Sequence, residues 1–216
     1  MQDGTPKPEL SPTNAVQDGT PVAALPPPAR RSVWTTREKL VRLAWAVVAR
    51  PLWILAPGFR PGLIRLFGGE AGRNCAFAAS VEITIPWHVR CGDNVRIGER
   101  VILYGLGPIT IGDGTVIDYR AHLCAGTHDM TDSRFPLLKT PIAVGRGCFI
   151  GADAYIGPGV ELGDGCRVWP RASIYSAAPA GTHLRGNPGK PFDPASEGGA
   201  RPARERVEPR PAGAGP

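Results

Sequence analysis

A six-residue repeat runs through the middle of this chain and constrains its fold more than any other feature. Residues 111–128 read IGDGTV, IDYRAH and LCAGTH; the phase is then lost, and residues 144–167 resume it as VGRGCF, IGADAY, IGPGVE and LGDGCR. One such hexad cannot bury an apolar face, whereas stacked repeats bury a continuous core. We therefore predict a solenoid of short strands, with its chemistry near His128, where the phase is lost.

The apolar residue that leads each hexad is predicted to point into the core. These lead positions are Ala79, Ile85, Cys91, Ile97, Leu103, Ile111, Ile117, Leu123, Val144, Ile150, Ile156, Leu162, Val168 and Ile174. A small or branched residue four positions later is predicted to point inward too: Val89, Val95, Val101, Thr115, Ala121, Thr127, Cys148, Ala154, Val160, Cys166 and Ala172. Glycine commonly follows the lead, as tight turns require. Because Leu103 and Ile111 are eight residues apart, Gly107-Pro108 is predicted to bulge outward.

Composition indicates one domain with reduced thiols and a local positive charge. The 216 residues include five cysteines and no CxxC pair, which argues against a disulfide framework or zinc cluster and favours a cytoplasmic protein. Cys148 and Cys166 share a phase and are expected to stack as free core thiols. The chain has a net charge of +6, and the segment from Arg30 to Arg73 alone carries +7, so the positive charge is local to that segment. The repeat has no basic, aromatic-rich surface suited to nucleic acid.

The regions flanking the repeat differ from it in composition. Residues 1–34 and 191–216 are rich in proline, glycine and charge, so we predict disordered tails; residues 1–33 have no apolar segment of a secretory signal. Thr35 and Glu38 predict a capping box that starts a helical segment at residues 35–67, with Pro51 ending the first helix. Two interpretations remain open for this segment. It packs as a cap over the open end of the repeat, or it rests on an anionic membrane with Trp34, Trp45 and Trp53 at the interface, and the two are compatible.

Several motifs together resemble the hexapeptide-repeat acyltransferases, in the branch of the colanic acid biosynthesis acetyltransferases, with maltose and galactoside O-acetyltransferases as relatives. They are the hexads, RLFGG near residue 65, LYGLGPITIGDG at 103–114, LCAGTHDMTDSRFPLLKTPIAVG at 123–145 and GNP at 186–188. The resemblance implies an all-β fold, a left-handed parallel β-helix shaped as a triangular prism, over residues 68–190 with a loop at 128–141. It also implies a homotrimer that transfers acetyl from acetyl-CoA to a sugar hydroxyl.

The same resemblance assigns candidate site residues. His128 matches the family's catalytic histidine, and an imidazole is suited to removing the proton of an attacking hydroxyl. Acceptor-binding candidates are Tyr104, which stands where relatives carry asparagine, and the loop residues Asp129, Asp132 and Arg134. Candidates for binding CoA are Gly151, Ala152, Pro170, Arg185 and Lys190. A Thr-Lys pair that relatives often carry after the last coil is replaced by Tyr175-Ser176.

We therefore expect an acetyl-CoA-dependent O-acetyltransferase acting on a saccharide of exopolysaccharide biosynthesis, with a lipid-linked acceptor at the inner face of the membrane. Acyl transfer to serine or an amino sugar, and a non-catalytic scaffold, remain as alternatives. A zinc site like that of γ-class carbonic anhydrases is not expected, because His122 and His128 are six residues apart and should point to different faces.

Overall fold

The computed structural model describes residues 35–196, which fold into a parallel β-helix preceded by short helices. The predicted architecture, a β-helix built from hexapeptide repeats with a helical segment before it, is confirmed. The two tails predicted to be disordered lie outside the described residues, except for residues 191–196.

Three sheets form the faces of the helix, and each of the first five turns contributes one strand to each sheet. Sheet A consists of β1 Glu70–Ala71, β4 Val89–Cys91, β7 Ile109–Ile111, β12 Ile142–Val144 and β15 Glu161–Leu162. Sheet B consists of β2 Ala76–Phe77, β5 Arg96–Ile97, β8 Val116–Ile117, β13 Phe149–Ile150, β16 Arg167–Val168, β18 His183–Arg185 and the antiparallel β19 Lys190–Pro191. Sheet C consists of β3 Glu82–Ile83, β6 Ile102–Tyr104, β9 His122–Cys124, β14 Tyr155–Ile156 and β17 Ser173–Ile174.

The number of residues in a coil changes along the helix. In sheet B, the Cα partners are Arg96 and Val116, then Val116 and Phe149, then Phe149 and Arg167. The coil therefore lengthens from 20 residues to 33 and then contracts to 18. The 33-residue coil carries the segment between Cys124 and Ile142, which leaves the helix and returns without disturbing the pairing beyond it.

The hexad phase predicted the core correctly wherever coils have a regular length. All lead positions except Ala79, and all second-set positions except Thr127, are buried. Ala79 is exposed, because Phe77 and Ile83 occupy the inward sites of the first coil. The next inward position in this phase is Cys91, eight residues after Ile83 instead of six. The two extra residues are accommodated in a 3₁₀ turn at Pro86–His88.

Two predictions at the ends of strands are also wrong. Thr127 is exposed, since it already belongs to the segment that leaves the helix. Gly107 is buried rather than bulged outward, and its N–H donates to the Ala125 carbonyl at 2.8 Å. A Cβ on Gly107 would lie 2.9 Å from the carbonyl oxygens of Ala125 and Thr140, so only glycine fits here. Pro108 alone is exposed.

The helical segment covers the first coil. It comprises α1 Thr36–Ala44, a π-helical turn Trp45–Ala49, α2 Arg50–Leu55, a 3₁₀ turn Pro57–Phe59 and α3 Arg60–Leu66. Thr35 and Glu38 form the predicted capping box. Trp45 and Trp53 are 6% and 1% exposed and pack in one core cluster with the β-helix, so they anchor a cap and do not lie at a membrane interface. Trp34 lies outside the described residues.

Pro51 does not end the helix, contrary to prediction. The π-helical turn brings the Arg50 N–H to the Trp45 carbonyl, and Pro51 enters α2 in its first turn, where a missing N–H is tolerated. The helix ends only at Ala56, whose φ and ψ are no longer helical. In a regular α-helix, side chains at every fourth position point in gradually changing directions. The wider π-helical turn also keeps Trp45 and Trp53 on the same side of the segment.

Candidate active site

The segment that leaves the β-helix begins as a small antiparallel hairpin. Strand β10, Thr127–His128, pairs with β11, Leu137–Leu138, so that His128 lies opposite Leu137. The Asp129 N–H donates to the Pro136 carbonyl at 3.0 Å and extends the pairing by one step. The backbone on both sides of His128 is therefore held by hydrogen bonds, although the hairpin lies outside the three sheets.

His128 is exposed, and one of its ring nitrogens is already engaged. Nδ1 lies 2.7 Å from the carbonyl oxygen of Phe135, across the hairpin. A carbonyl only accepts hydrogen bonds, so Nδ1 must carry the proton and donate. In the neutral ring this leaves the lone pair on Nε2, which is the atom that can accept a proton from a bound hydroxyl.

Phe135 is a contact of the candidate base that the sequence did not reveal. Its backbone is left-handed, with φ of 47°, and its N–H donates to the Asp132 carbonyl at 2.8 Å. This conformation is uncommon for a residue with a bulky side chain. The loop geometry turns the Phe135 carbonyl toward His128, and a phenylalanine in the sequence gives no signal of such a role.

The charged loop residues mainly bind one another. The Asp129 carboxylate accepts from the N–H and hydroxyl of Thr131 at 2.9 and 2.6 Å. The guanidinium of Arg134 pairs with both carboxylate oxygens of Asp132, the shortest distance being 2.8 Å. Hydrogen bonds from the Arg134 side chain and backbone lower the pKa of Asp132 to about 2. Arg134 remains largely exposed and so can reach a ligand, whereas both carboxylates are committed to shaping the loop.

Tyr104 lies at the base of the loop, on the outer side of sheet C. The Ala125 N–H donates to its carbonyl at 3.0 Å, three residues before His128. Its ring contacts that of His122, with centroids 6.3 Å apart, and His122 in turn contacts Tyr155 at 5.5 Å. Tyr104 is thus placed beside the catalytic candidate by the backbone, while its ring is half-buried.

The candidates for binding CoA line a different part of the molecule. Gly151 and Ala152 turn the chain from sheet B to sheet C, and Pro170 occupies the same turn one coil later. A Cβ on Gly151 would lie 2.7 Å from the Pro170 nitrogen, so this glycine is required by the close stacking of the two turns. The Arg171 N–H donates to the Ala152 carbonyl at 2.8 Å and places another exposed cation at this corner. The six-residue phase could have identified Arg171, which directly follows Pro170.

Arg185 and Lys190 extend this corner to the last coil. They are Cα partners in the antiparallel pair β18–β19, and both are exposed. The guanidinium of Arg185 lies 4.4 Å from the centroid of the Phe192 ring, which orients it. The two cations therefore stand side by side, an arrangement suited to phosphate groups.

The two sets of candidates occupy different corners of the prism. The loop with His128 connects sheet C to sheet A, whereas the corner with Ala152, Pro170 and Arg185 lies where sheet B meets sheet C. A single protomer thus carries the candidate base at one corner and the candidate phosphate-binding residues at another.

His122 and His128 do not form a common site. His122 lies on β9, where burial lowers the pKa of its ring, and its Nε2 atom is buried without a hydrogen-bond partner in the described part of the chain. Among residues 35–196, no group of three or more His, Cys, Asp or Glu side chains could hold a metal ion. All five cysteines are free, and Cys148 and Cys166 are buried in successive coils.

Two family models match the repeat. The bacterial transferase hexapeptide model (six repeats) matches residues 141–176, and the model for the hexapeptide repeat of succinyl-transferase matches residues 88–118. WcaF of Escherichia coli strain K12, whose name describes a colanic acid biosynthesis acetyltransferase, is 41% identical over 152 residues. That alignment covers 68% of this chain and 83% of WcaF.

Solved structures share the fold at lower identity. The hexapeptide-repeat containing acetyltransferase VCA0836 from Vibrio cholerae has a TM-score of 0.69 at 21% identity, covering 74% of this chain and 93% of its own. Its complex with acetyl coenzyme A gives 0.68 at 21% identity, covering 74% and 89%. A maltose O-acetyltransferase from Clostridium difficile 630 gives 0.65 at 18% identity, covering 74% and 90%.

Proposed function

This chain belongs to the hexapeptide-repeat acetyltransferase family, and from that membership we propose that it transfers acetyl from acetyl-CoA to a saccharide hydroxyl. The observation that carries the proposal is the hydrogen bond of 2.7 Å between Nδ1 of His128 and the Phe135 carbonyl, which leaves Nε2 free to act as a base. The 41% identity to WcaF favours an acceptor from exopolysaccharide biosynthesis.

His128 has two tasks in this mechanism. Bound acetyl-CoA supplies an acyl thioester that is already activated. Nε2 of His128 accepts the proton of the acceptor hydroxyl as its oxygen attacks the thioester carbonyl, and it returns that proton to the departing thiolate. Throughout, the Phe135 carbonyl accepts from Nδ1 and stabilises the positively charged ring that forms in between. No acyl group becomes attached to the protein.

The corner with Ala152, Pro170 and Arg185, which we call the donor corner, suits CoA. Ala152 and Pro170 offer an apolar, partly exposed surface for an extended chain, and Arg185 with Lys190 offers two cations for its phosphates. Arg134 is the loop cation that can contact acceptor hydroxyls, with Tyr104 at the base of the loop. Asp129 and Asp132 act indirectly by shaping the loop.

We place the functional site between two copies of the chain in a homotrimer. The separation of His128 from the donor corner supports this arrangement, because the base of one protomer can then meet acetyl-CoA held against its neighbour. We further propose that the protein works in the cytoplasm on a lipid-linked acceptor, with peripheral membrane contact through the basic helical segment. Among residues 35–196, no helix is long and apolar enough to cross a membrane.

The proposal is tested by thiol release from acetyl-CoA in the presence of a panel of saccharides. We expect His128→Ala to lower kcat by about 10²–10⁴-fold while thermal unfolding and oligomeric mass stay unchanged. The variant His128→Asn, which can retain a donor toward the Phe135 carbonyl, should be equally slow because it lacks the Nε2 base. Turnover retained by either variant would remove His128 from the mechanism.

One observation favours a second candidate, a non-catalytic scaffold. Tyr175-Ser176 stands where relatives often carry Thr-Lys, and the Tyr175 ring is 57% exposed while contacting that of Tyr155 at 5.6 Å. Calorimetric titration with CoA separates the two functions. The enzyme must bind CoA, and Arg185→Ala combined with Lys190→Ala must weaken that binding; no heat at millimolar CoA would favour the scaffold. Screening serine and amino sugars in the thiol assay tests the other acyl transfers.

A further inference from the structure

The helical segment exposes a surface of large apolar side chains. Nine of the thirteen large hydrophobic residues exposed among residues 35–196 belong to it, with Leu55 at 81% and Leu66 at 77%. We call this surface the apolar helix face, and it consists of Leu40, Leu43, Val47, Val48, Leu52, Ile54, Leu55, Phe59 and Leu66. Exposed apolar side chains concentrated in one segment in this way mark an interaction site.

The face lies opposite the residues that attach the segment to the β-helix. Trp45, Ala49 and Trp53 are buried in the core cluster, and the indole N–H of Trp45 donates to the Ile83 carbonyl at 3.1 Å. Trp53 packs edge-on to Phe77, with centroids 5.6 Å apart. The core is therefore complete without the apolar helix face, which remains for a partner.

The composition of the segment indicates what that partner is. Between residues 39 and 69 every polar side chain is cationic: Lys39, Arg42, Arg50, Arg60 and Arg65. An interface with another protein carries roughly one hydrogen bond per 100–200 Å², with donors and acceptors on both sides. A surface with only aliphatic, aromatic and cationic groups instead matches the boundary of an anionic lipid bilayer, where apolar groups enter and cations meet headgroup phosphates.

Three arginines of the segment are held by backbone carbonyls of the cap and the first coil. Arg50 donates to the Val81 carbonyl, Arg60 to those of Trp53 and Phe77, and Arg65 to those of Ala71 and Gly72, at 2.7–2.9 Å. These acceptors hold the guanidinium groups but are uncharged. Because these three guanidinium groups are turned toward the first coil, the exposed Arg37 and Lys39 at the start of α1 are the cations placed to meet headgroup phosphates.

The one acidic residue of the segment is occupied in the capping box. The Glu38 carboxylate accepts from the N–H and hydroxyl of Thr35 at 2.7 and 2.8 Å. Hydrogen bonds from Thr35 are the main cause of its lowered pKa, and the charges of Lys139 and His88 add to the effect. Trp87, in the turn that joins sheet C to sheet A in the first coil, lies beside Arg37 and Glu38, so the start of α1 is at the corner that also carries the loop with His128.

A groove of about 490 Å³ borders the apolar helix face. Val41, Ala44, Leu66, Phe67 and Trp87 form most of its wall, with Arg37, Glu38 and Gly68 completing it. Its apolar wall is suited to an acyl or isoprenoid chain, and Arg37 and Glu38 place one cation and one carboxylate at its edge. The groove and the face thus favour the same kind of partner.

We infer that the apolar helix face docks the protein on an anionic phospholipid membrane, with Lys39 and Arg37 among the cations that contact the headgroups. The docked orientation brings the loop that carries His128 toward the bilayer surface, where a lipid-linked acceptor is presented. The inference rests on the proposed function in one respect, because docking serves the acetyl transfer only if the acceptor is bound to the membrane.

The test is co-sedimentation of the full chain with vesicles of phosphatidylcholine, with and without phosphatidylglycerol. We expect binding only to the anionic vesicles, weakened by salt. The variant Leu40→Gln, Leu43→Gln, Val47→Gln should reduce binding roughly 100-fold, because three aliphatic side chains no longer enter the bilayer. The double variant Arg37→Glu, Lys39→Glu should reduce it to a similar extent.

The control variant is Tyr119→Gln, which removes a partly exposed ring outside the helical segment and should bind as the parent does. The triple variant should keep the parent's thiol release with a soluble saccharide acceptor, so failure of the membrane contact differs from failure of the proposed chemistry. Three results would overturn the inference. They are no vesicle binding, binding unchanged by the triple variant, and a triple variant whose oligomeric mass falls, which would assign the face to a second copy.

Discussion

Thr115 joins, through its side-chain hydroxyl, the coils that precede and follow the loop with His128. The hydroxyl should account for a measurable part of the free energy of unfolding. It is the one buried polar side chain among residues 35–196, and it occupies an inward position that holds Val, Ala or Cys elsewhere. Its Oγ1 donates to the Gly145 carbonyl at 2.7 Å and accepts from the Cys148 N–H at 3.1 Å. Gly145 and Cys148 follow the loop, whereas Thr115 precedes it.

Replacing Thr115 with Val keeps the shape and removes both hydrogen bonds. The Cys148 N–H then remains buried without its acceptor, which costs about 1–3 kcal/mol, and the lost bond to Gly145 adds about 1 kcal/mol. We expect Thr115→Val to lower the free energy of unfolding by about 2–4 kcal/mol. For a chain of this size that corresponds to a fall in Tm of roughly 4–16 °C.

The matched control is Thr115→Ser, which keeps the hydroxyl and loses one methyl group, at a cost of about 1 kcal/mol. Urea denaturation at constant protomer concentration, followed by circular dichroism, measures both variants. The reasoning requires valine to be the more damaging substitution. If Thr115→Val were as stable as the parent, or if serine were worse than valine, the hydroxyl would not join the two coils.

Two further predictions concern titrating groups. Burial lowers the pKa of His122, so the unfolded chain binds its proton more readily; the stability from the neutral ring is complete above about pH 6.5 and is lost as the pH falls through the lower folded pKa. His122→Phe should therefore flatten the dependence of unfolding free energy on pH between 7.5 and 5.5, and parallel curves for parent and variant would contradict this. Arg134→Gln should raise the pKa of Asp132 from about 2 toward about 3.9, as measured by NMR titration; an unmoved value would mean that Arg134 does not hold this carboxylate.

The hexad phase was sufficient to predict the β-helix and most of its core, because the period of the buried residues equals the length of a strand and turn. It failed where a coil changed length. Ala79 was placed inward by counting back from Cys91, yet two additional residues at the Pro86–His88 turn shift the first coil to Phe77 and Ile83. A period of six does not reveal where extra residues are accommodated.

The site was predictable to the extent that it depends on residue identity. The loss of phase singles out His128 as the candidate base, and the structure places Arg185 beside Lys190 and Gly151 beside Pro170. The partner of Nδ1 was not predictable, because it is a backbone carbonyl presented by a left-handed residue. Backbone geometry within an irregular loop leaves little trace in side-chain identity.

The helical segment shows a different limit. Proline is expected to end a helix, but the π-helical turn before Pro51 lets the helical segment continue. The tryptophans were considered as membrane anchors, whereas their spacing matches the buried side. The aliphatic residues on the opposite side carry the exposed surface.

The lengthened coil has a consequence for how such proteins diversify. The chain departs after Cys124, returns at Ile142, and the coils beyond pair as they do in an uninterrupted helix. The prism therefore places almost no demand on the sequence of the inserted stretch, apart from the positions of its two ends. Selection can exchange that stretch as a module and alter acceptor choice, while the scaffold keeps folding from the same pattern of repeats.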